Sequence, residues 1–206
     1  MQLQKKIVLK NLLLFVFLTT SFMGVAQSDE VQLKSDFAKY ASALKSRQYT
    51  QATSYMPDNL FNVYNKEKLV QEMKQTFESA DTEVKINSVE VVSMDSKIVD
   101  GSQVYIPFQF RQQFELKYIN LFDATDDEQS RDSTTKFIVD MLNESLPDSS
   151  IRFDKKKEVF AIDNLKNALA VKSTTDDTWK FLVIEPSLKN VMGRLLPATV
   201  IQKTKL

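Results

Sequence analysis

The sequence predicts an α+β domain in which helices come first and an antiparallel sheet follows. Up to about residue 80, apolar side chains recur at three- and four-residue steps, the period of a helix with one buried face. From Asp81 onward they alternate with polar ones, the period of a half-buried strand. With 206 residues, 43% of them hydrophobic, the chain has enough apolar side chains for one packed core.

Residues 1–26 have the pattern of a secretory signal peptide. Three lysines precede an apolar run from Leu12 to Leu18, and the small residues Gly24 and Ala26 precede the predicted cleavage site. The run is short for a transmembrane helix, so we expect no membrane span after cleavage, the alternative being an uncleaved anchor. We therefore expect a single domain over residues 27–206, exported to the periplasm or secreted.

Three helices are predicted before the sheet. The first covers about residues 29–47, the second is short and ends at Pro57, and Asn65 caps the third. Residues 60–64, between the second and third helices, resemble a brief extended segment. The apolar faces of the helices carry four tyrosines that could donate a hydrogen bond to a ligand, although packing is their commoner role: Tyr40, Tyr49, Tyr55 and Tyr64.

The clearest strand covers residues 103–118, where every even-numbered side chain is apolar except Gln112. The pair Asp100–Gly101 predicts a hairpin turn that joins this strand to one of about residues 82–99. Pairing from that turn sets Val91 opposite Phe110.

A β-bulge is predicted in the first strand of this hairpin. Val84 and Ile86 share one apolar phase, whereas Val89 and Val91 have the other, so one extra residue must lie between them. We place the bulge at Asn87–Ser88, beside Gln112. Bulges bend sheets and redirect side chains, often near functional sites.

The second half of the chain continues the sheet around one more helix. Residues 119–131 are expected to form a loop, and Ser133 is expected to cap a helix that ends at about residue 145. Two hairpins follow, and a last short helix ends at Pro197. The helix over 133–145 is thus an extra element between sheet strands.

Composition excludes several classes of function. Histidine and cysteine are absent, which removes Cys/His zinc sites, thiol nucleophiles and Ser-His-Asp triads. Without residues 1–26 the chain has 24 basic and 27 acidic side chains, a balance that argues against nucleic acid as a partner. The acidic run from Asp123 to Glu128 lacks the spacing of a calcium loop. We expect no metal and no cofactor.

The order of elements resembles the NTF2-like (SnoaL-like) superfamily. The resemblance rests on Arg47-Gln48-Tyr49, Tyr55-Met56-Pro57-Asp58, the helix after Asn65, and Trp179-Lys180-Phe181-Leu182. It implies N-terminal helices packed in the concave face of a strongly bent antiparallel sheet, a cone with an apolar pocket at its open end. Homodimers through the exposed sheet face are common in such folds. The helix over 133–145 departs from the simplest family pattern.

Seven residues are candidates for lining this pocket. Gln112 is the strongest candidate, because a polar side chain on an apolar face either contacts a ligand or forms hydrogen bonds with backbone groups freed by the bulge. Asp163 could be an inward carboxylate with a raised pKa, or a turn former. The other five are Phe110, Ser88, Asn167, Tyr55 and Trp179.

Three functions are consistent with the sequence. The favoured one is an exported, non-catalytic NTF2-like module that binds a small apolar ligand or a protein partner in its cone. The second is a cofactor-independent isomerase or lyase that uses a buried carboxylate and a tyrosine. The third is a structural envelope protein whose cone is filled by its own side chains.

Overall fold

The computed structural model describes residues 29–204; the predicted signal peptide, residues 1–26, lies outside this range. Six α-helices and two 3₁₀ segments, Asp58–Asn62 and Pro186–Val191, are present in the described part of the chain. The α-helices are α1 (residues 29–45), α2 (Tyr49–Thr53), α3 (Lys66–Phe77), α4 (Glu128–Ser145), α5 (Met192–Leu195) and α6 (Ala198–Thr204).

The strands form one six-stranded antiparallel sheet, which confirms the predicted α+β class. Two long strands, β3 and β5, pair along their length at its centre. β1 and β2 both pair with β3 at one edge, while β4 and β6 both pair with β5 at the other. The strands are β1 (Thr82–Met94), β2 (Ile98–Asp100), β3 (Gln103–Tyr118), β4 (Ser149–Asp154), β5 (Val159–Ser173) and β6 (Lys180–Val183).

The predicted bulge in β1 is confirmed. Pairing shifts by one residue between Ile86 and Ser88, so that Ile86 lies opposite Phe114 while Val91 lies opposite Phe110. A second shift, between Val91 and Ser93, was not expected. The predicted continuous strand over 82–99 is also interrupted, because residues 95–97 separate β1 from β2.

The hairpin turn lies one residue further along than predicted. Asp100 pairs with Gln103, so Gly101 and Ser102 form the two-residue loop. Gly101 has φ +57°, a left-handed conformation that glycine adopts without a steric penalty. The predicted pairing of Val91 with Phe110 is nevertheless correct. The break at residues 95–97 and the shift between Val91 and Ser93 together offset the displacement of the turn.

Three other expectations are wrong in detail. Residues 58–62 form a 3₁₀ helix rather than an extended segment. α4 begins at Glu128 and is capped by Asp127, whose side chain accepts the Ser130 N–H, so the expected loop ends earlier and Ser133 is not the cap. Pro197 does not mark the end of the last helix, because α6 begins directly after it.

The main core lies between α1 and the sheet. Phe37 of α1 is 1% exposed and meets three aromatic rings of the sheet, with centroids 5.0, 5.1 and 5.1 Å away: Phe108, Phe110 and Phe181. All three contacts are edge-to-face in character, with interplanar angles of 79°, 61° and 74°, the favourable arrangement for aromatic pairs. This aromatic cluster holds α1 against β3 and β6.

A second, smaller core lies under α4. Ile138 and Leu142 of α4 are buried with Phe160 and Ile162 of β5, and Phe114 of β3 packs against them. Phe137 and Met141 directly precede these two residues in the sequence and are also apolar, but they are 67% and 36% exposed. α4 therefore buries a narrower apolar face than its sequence suggests.

We predict that Phe37→Ala lowers the free energy of unfolding by about 3–5 kcal/mol, since it leaves a cavity among three aromatic rings. Denaturant unfolding followed by circular dichroism measures the loss. Val31→Ala, on the same helix at a position 62% exposed, is the matched control and should stay within about 0.5 kcal/mol of the parent. Equal effects of the two substitutions would contradict the central place of Phe37.

Candidate functional site

Five of the seven predicted site residues lie in strands, and these five are divided between the two faces of the sheet. Phe110 and Gln112 lie on the face that α1 covers, with Phe110 4% exposed and Gln112 partly buried. Ser88 and Asp163 both pair with Gln113, whose side chain points to the opposite face because neighbours in a strand alternate. The structure therefore does not bring these candidates together in one cavity.

The opposite face carries a polar network across three strands. Gln113 accepts a hydrogen bond from the Ser88 hydroxyl at 3.1 Å and donates one to Asp163 at 2.9 Å. Arg111 lies 3.4 Å from the same carboxylate, and Gln109 donates to Asn167 at 3.0 Å. These exposed side chains satisfy one another on an open sheet surface.

Gln112 lies at the boundary between the two cores. It pairs with Val89 of β1 and with Asn164 of β5, and Asn164 pairs in turn with Ser149 of β4. Asn164 is 4% exposed, and the hydroxyl oxygen of Ser149 is buried without a hydrogen-bond partner. A polar row thus crosses the sheet between the Phe110 cluster and the Phe114 cluster.

Trp179 and Tyr55 belong to the packing around β6. Trp179 is fully buried, its backbone N–H donates to the buried Asp36 carboxylate at 3.1 Å, and the Lys172 ammonium lies 4.7 Å from its ring centroid. Tyr55 is partly buried, and its carbonyl accepts the Phe181 N–H at 2.6 Å. These contacts fix the start of β6 against the helices.

An apolar groove lies between the helices and β6, and we call it the β6 groove. Its cavity is about 250 Å³, and eleven residues line it. Most are apolar, with two tyrosines and two glutamates: Tyr40, Met56, Leu60, Tyr64, Leu69, Glu72, Phe181, Leu182, Val183, Glu185 and Leu188. An apolar cleft with a few polar groups is the usual form of a small-molecule site.

Two carboxylates border the β6 groove. The Glu185 carboxylate forms a salt bridge with the Lys166 ammonium at 2.6 Å, and the Glu185 side chain is 44% exposed. Glu72 lies 3.7 Å from the Lys68 ammonium on the surface of α3. Burial, together with the nearby Glu185 charge, raises the pKa of Tyr40 to about 12, so this phenol stays protonated at neutral pH and can donate a hydrogen bond.

Sequence reasoning anticipated only part of this groove. Tyr40 and Tyr64 were recognised as hydroxyls that could face a ligand. Leu60 lies in the segment predicted as extended, and Leu69 and Leu188 lie in predicted helices, where nothing local distinguishes a leucine that borders a cleft from one that is fully packed. The 3₁₀ helix at residues 58–62 was not predicted, and it places Leu60 at the cleft.

The acidic segment before α4 forms local structure. Asp127 caps the helix, and the Asp126 carboxylate accepts the Asp123 N–H at 2.8 Å. In residues 29–204, no group of three or more acidic side chains is arranged to hold a metal ion. Nor does any helix in that range combine the length and apolar character needed to cross a membrane.

No protein-family model matches this chain, and no curated protein is significantly similar to it.

We predict that Tyr40 titrates near pH 12, about two units above a free tyrosine. The tyrosinate absorbance of the parent minus that of Tyr40→Phe should give its titration curve. Because the unfolded chain loses this proton near pH 10, stability that is complete below pH 10 should fall as the pH rises toward about 12. Tyr40→Phe should lack that loss, and a difference curve centred at pH 10 would contradict the burial of this hydroxyl.

Proposed function

We propose that this protein is an exported, non-catalytic binding module of the NTF2-like type that takes a small, mainly apolar ligand in the β6 groove. The observation that carries the proposal is the apolar cavity of about 250 Å³ where helices and sheet meet. Leu60, Leu69 and Leu188 give it apolar walls.

The arrangement of elements supports the NTF2-like part of the proposal. Helices precede an antiparallel sheet, and α1 packs on that sheet through Phe37. Two register shifts in β1 supply the kind of irregularity that bends a sheet around a helix. The long pairing of β3 with β5 provides the extended ribbon that a cone requires.

The polar groups of the groove indicate the chemistry of the ligand. Tyr40 offers a protonated hydroxyl, while Glu72 and Glu185 place negative charge at the border. These carboxylates disfavour an anion and favour an apolar body with a cationic or hydrogen-bond-donating end. We therefore expect an alkyl amine or an alcohol to bind in preference to a carboxylic acid of equal length.

A second function, the structural envelope protein, is supported by the aromatic cluster. Phe37, Phe108, Phe110 and Phe181 occupy the space between α1 and the sheet where a central ligand would lie. Under that hypothesis the β6 groove is incidental, and apolar probes would not bind in it with defined stoichiometry.

We predict that a neutral fluorescent dye, Nile red, binds the purified chain at one site, and that Leu69→Lys weakens this binding at least about tenfold. The lysine side chain would occupy part of the volume that the dye fills. Dye binding would also force its ammonium group to lose water in an apolar groove, which is unfavourable. Fluorescence titration measures the affinity, and decyltrimethylammonium should displace the dye at lower concentration than decanoate.

Gln71→Lys is the matched control, because it adds the same charge to an exposed position of the same helix outside the groove. It should bind dye as the parent does. Equal weakening by both variants, or no saturable binding by a folded parent, would reject the groove as the ligand site and favour the structural function.

A further inference from the structure

A second cavity lies against the opposite edge of the sheet, beside the β-bulge. It is about 280 Å³ and is formed by the end of α1, the end of α3 and the first half of β1; we call it the β1 cavity. It differs from the β6 groove in the charge at its border, where basic side chains predominate. It shares no lining residue with the groove, so its function can be argued separately.

The floor of the β1 cavity is apolar. Leu44 of α1, Phe77 of α3, and Val84 and Ile86 of β1 contribute to its lining. Ile86 is 5% exposed, and the Phe77 ring stacks on Tyr49 with a centroid separation of 6.0 Å and an interplanar angle of 18°. A hydrocarbon chain placed here would remove apolar surface from water on several sides.

Three cations border this floor. Lys45, Arg47 and Lys85 line the cavity together with one acidic residue, Glu83. The Lys45 ammonium donates to the carbonyl oxygen of Asn87 at 3.2 Å, so the bulge fixes this charge at the cavity. Lys85 lies 3.8 Å from Glu115, but its side chain is 69% exposed and the pair is weak.

Arg47 occupies a backbone conformation that normally selects glycine. Its φ is +59° at the end of α1, where its N–H donates to the Leu44 carbonyl and the next N–H, of Gln48, donates to Ala43. This bonding pattern is a Schellman motif, in which the left-handed residue is usually glycine. Arginine is unfavourable there, and strained residues of this kind concentrate at functional sites.

We propose that the β1 cavity binds an amphipathic carboxylate, with its alkyl chain on the apolar floor and its head group between Arg47 and Lys45. A planar guanidinium matches the two oxygens of a carboxylate, and the lysine adds a second charge-assisted hydrogen bond. The three cations outweigh the single Glu83 carboxylate, so the cavity favours a head group with one negative charge. This site accounts for an arginine at a position suited to glycine.

The test compares three ten-carbon probes that differ in the head group: decanoate, decanol and decyltrimethylammonium. Isothermal titration calorimetry should show decanoate binding at a site that is sensitive to Arg47. Arg47→Gly and Lys45→Gln should each weaken decanoate about five- to tenfold, as expected for the loss of one partly exposed charge-assisted contact. Added salt should weaken decanoate binding to the parent and have little effect on decanol.

Arg47→Gly separates a binding role from a folding role. Because glycine adopts positive φ without steric penalty, this variant should keep or raise the melting temperature while it loses decanoate affinity. Asn120→Gly is the matched control, since Asn120 has φ +57° and does not line the cavity. It should leave decanoate binding unchanged.

Two results would overturn the proposal. One is decanoate affinity that is unchanged in both folded variants, Arg47→Gly and Lys45→Gln. The other is decanol binding as tightly as decanoate at low salt in the Leu69→Lys background, where the β6 groove is blocked, because the cations would then contribute no recognition. Neither result depends on the β6 groove, whose own test uses Leu69→Lys and a neutral dye.

Discussion

The packing of Phe37 against Phe108, Phe110 and Phe181 is the contact on which the rest of the structure depends. It joins α1 to the central strand β3 and to β6, so that one side chain links elements that are distant in the sequence. It also fills the middle of the space between α1 and the sheet. Open space remains toward the two sheet edges, at β6 and at β1, and both cavities lie there.

The two cavities have opposite electrostatic character although α1 contributes to both. Tyr40 faces the β6 groove, which two carboxylates border, whereas Leu44, one turn later, faces the β1 cavity with its three cations. A chain with nearly balanced total charge can therefore present two cavities that are lined by charged side chains of different sign. In both proposals, local charge rather than net charge determines which ligand the cavity would accept.

The sheet was predictable where alternation was unambiguous. Gln103–Tyr118 agrees with the predicted strand, and the bulge near Asn87 was visible because the apolar phase changes between Ile86 and Val89. The second shift, near Val92, left no such sign, because Val91 and Val92 are both apolar and fit either phase. The 3₁₀ helix at 58–62 has no periodic signature over so few residues.

The site was less predictable, because alternation identifies a face of a strand without showing what covers it. Asn167 and Leu169 share one face of β5 by spacing, yet Leu169 is fully buried while Asn167 is exposed. Leu169 packs with the C-terminal residues Leu195 and Val200 in the main core, and α6 was not predicted. The predicted Ser88, Asn167 and Asp163 lie on the sheet face opposite α1, where Asn167 is exposed and the other two are half-buried.

The central claim is that α1 and its aromatic cluster divide the interior into two separate sites. Backbone and methyl chemical-shift mapping by NMR tests it most directly, with decyltrimethylammonium and decanoate added in separate titrations. We expect the cation to perturb residues around Leu60 and Leu188, the anion to perturb those around Ile86 and Arg47, and Phe37 to be little affected by either. Perturbation of the same residues by both probes, or displacement of the Phe37 cluster, would contradict this account.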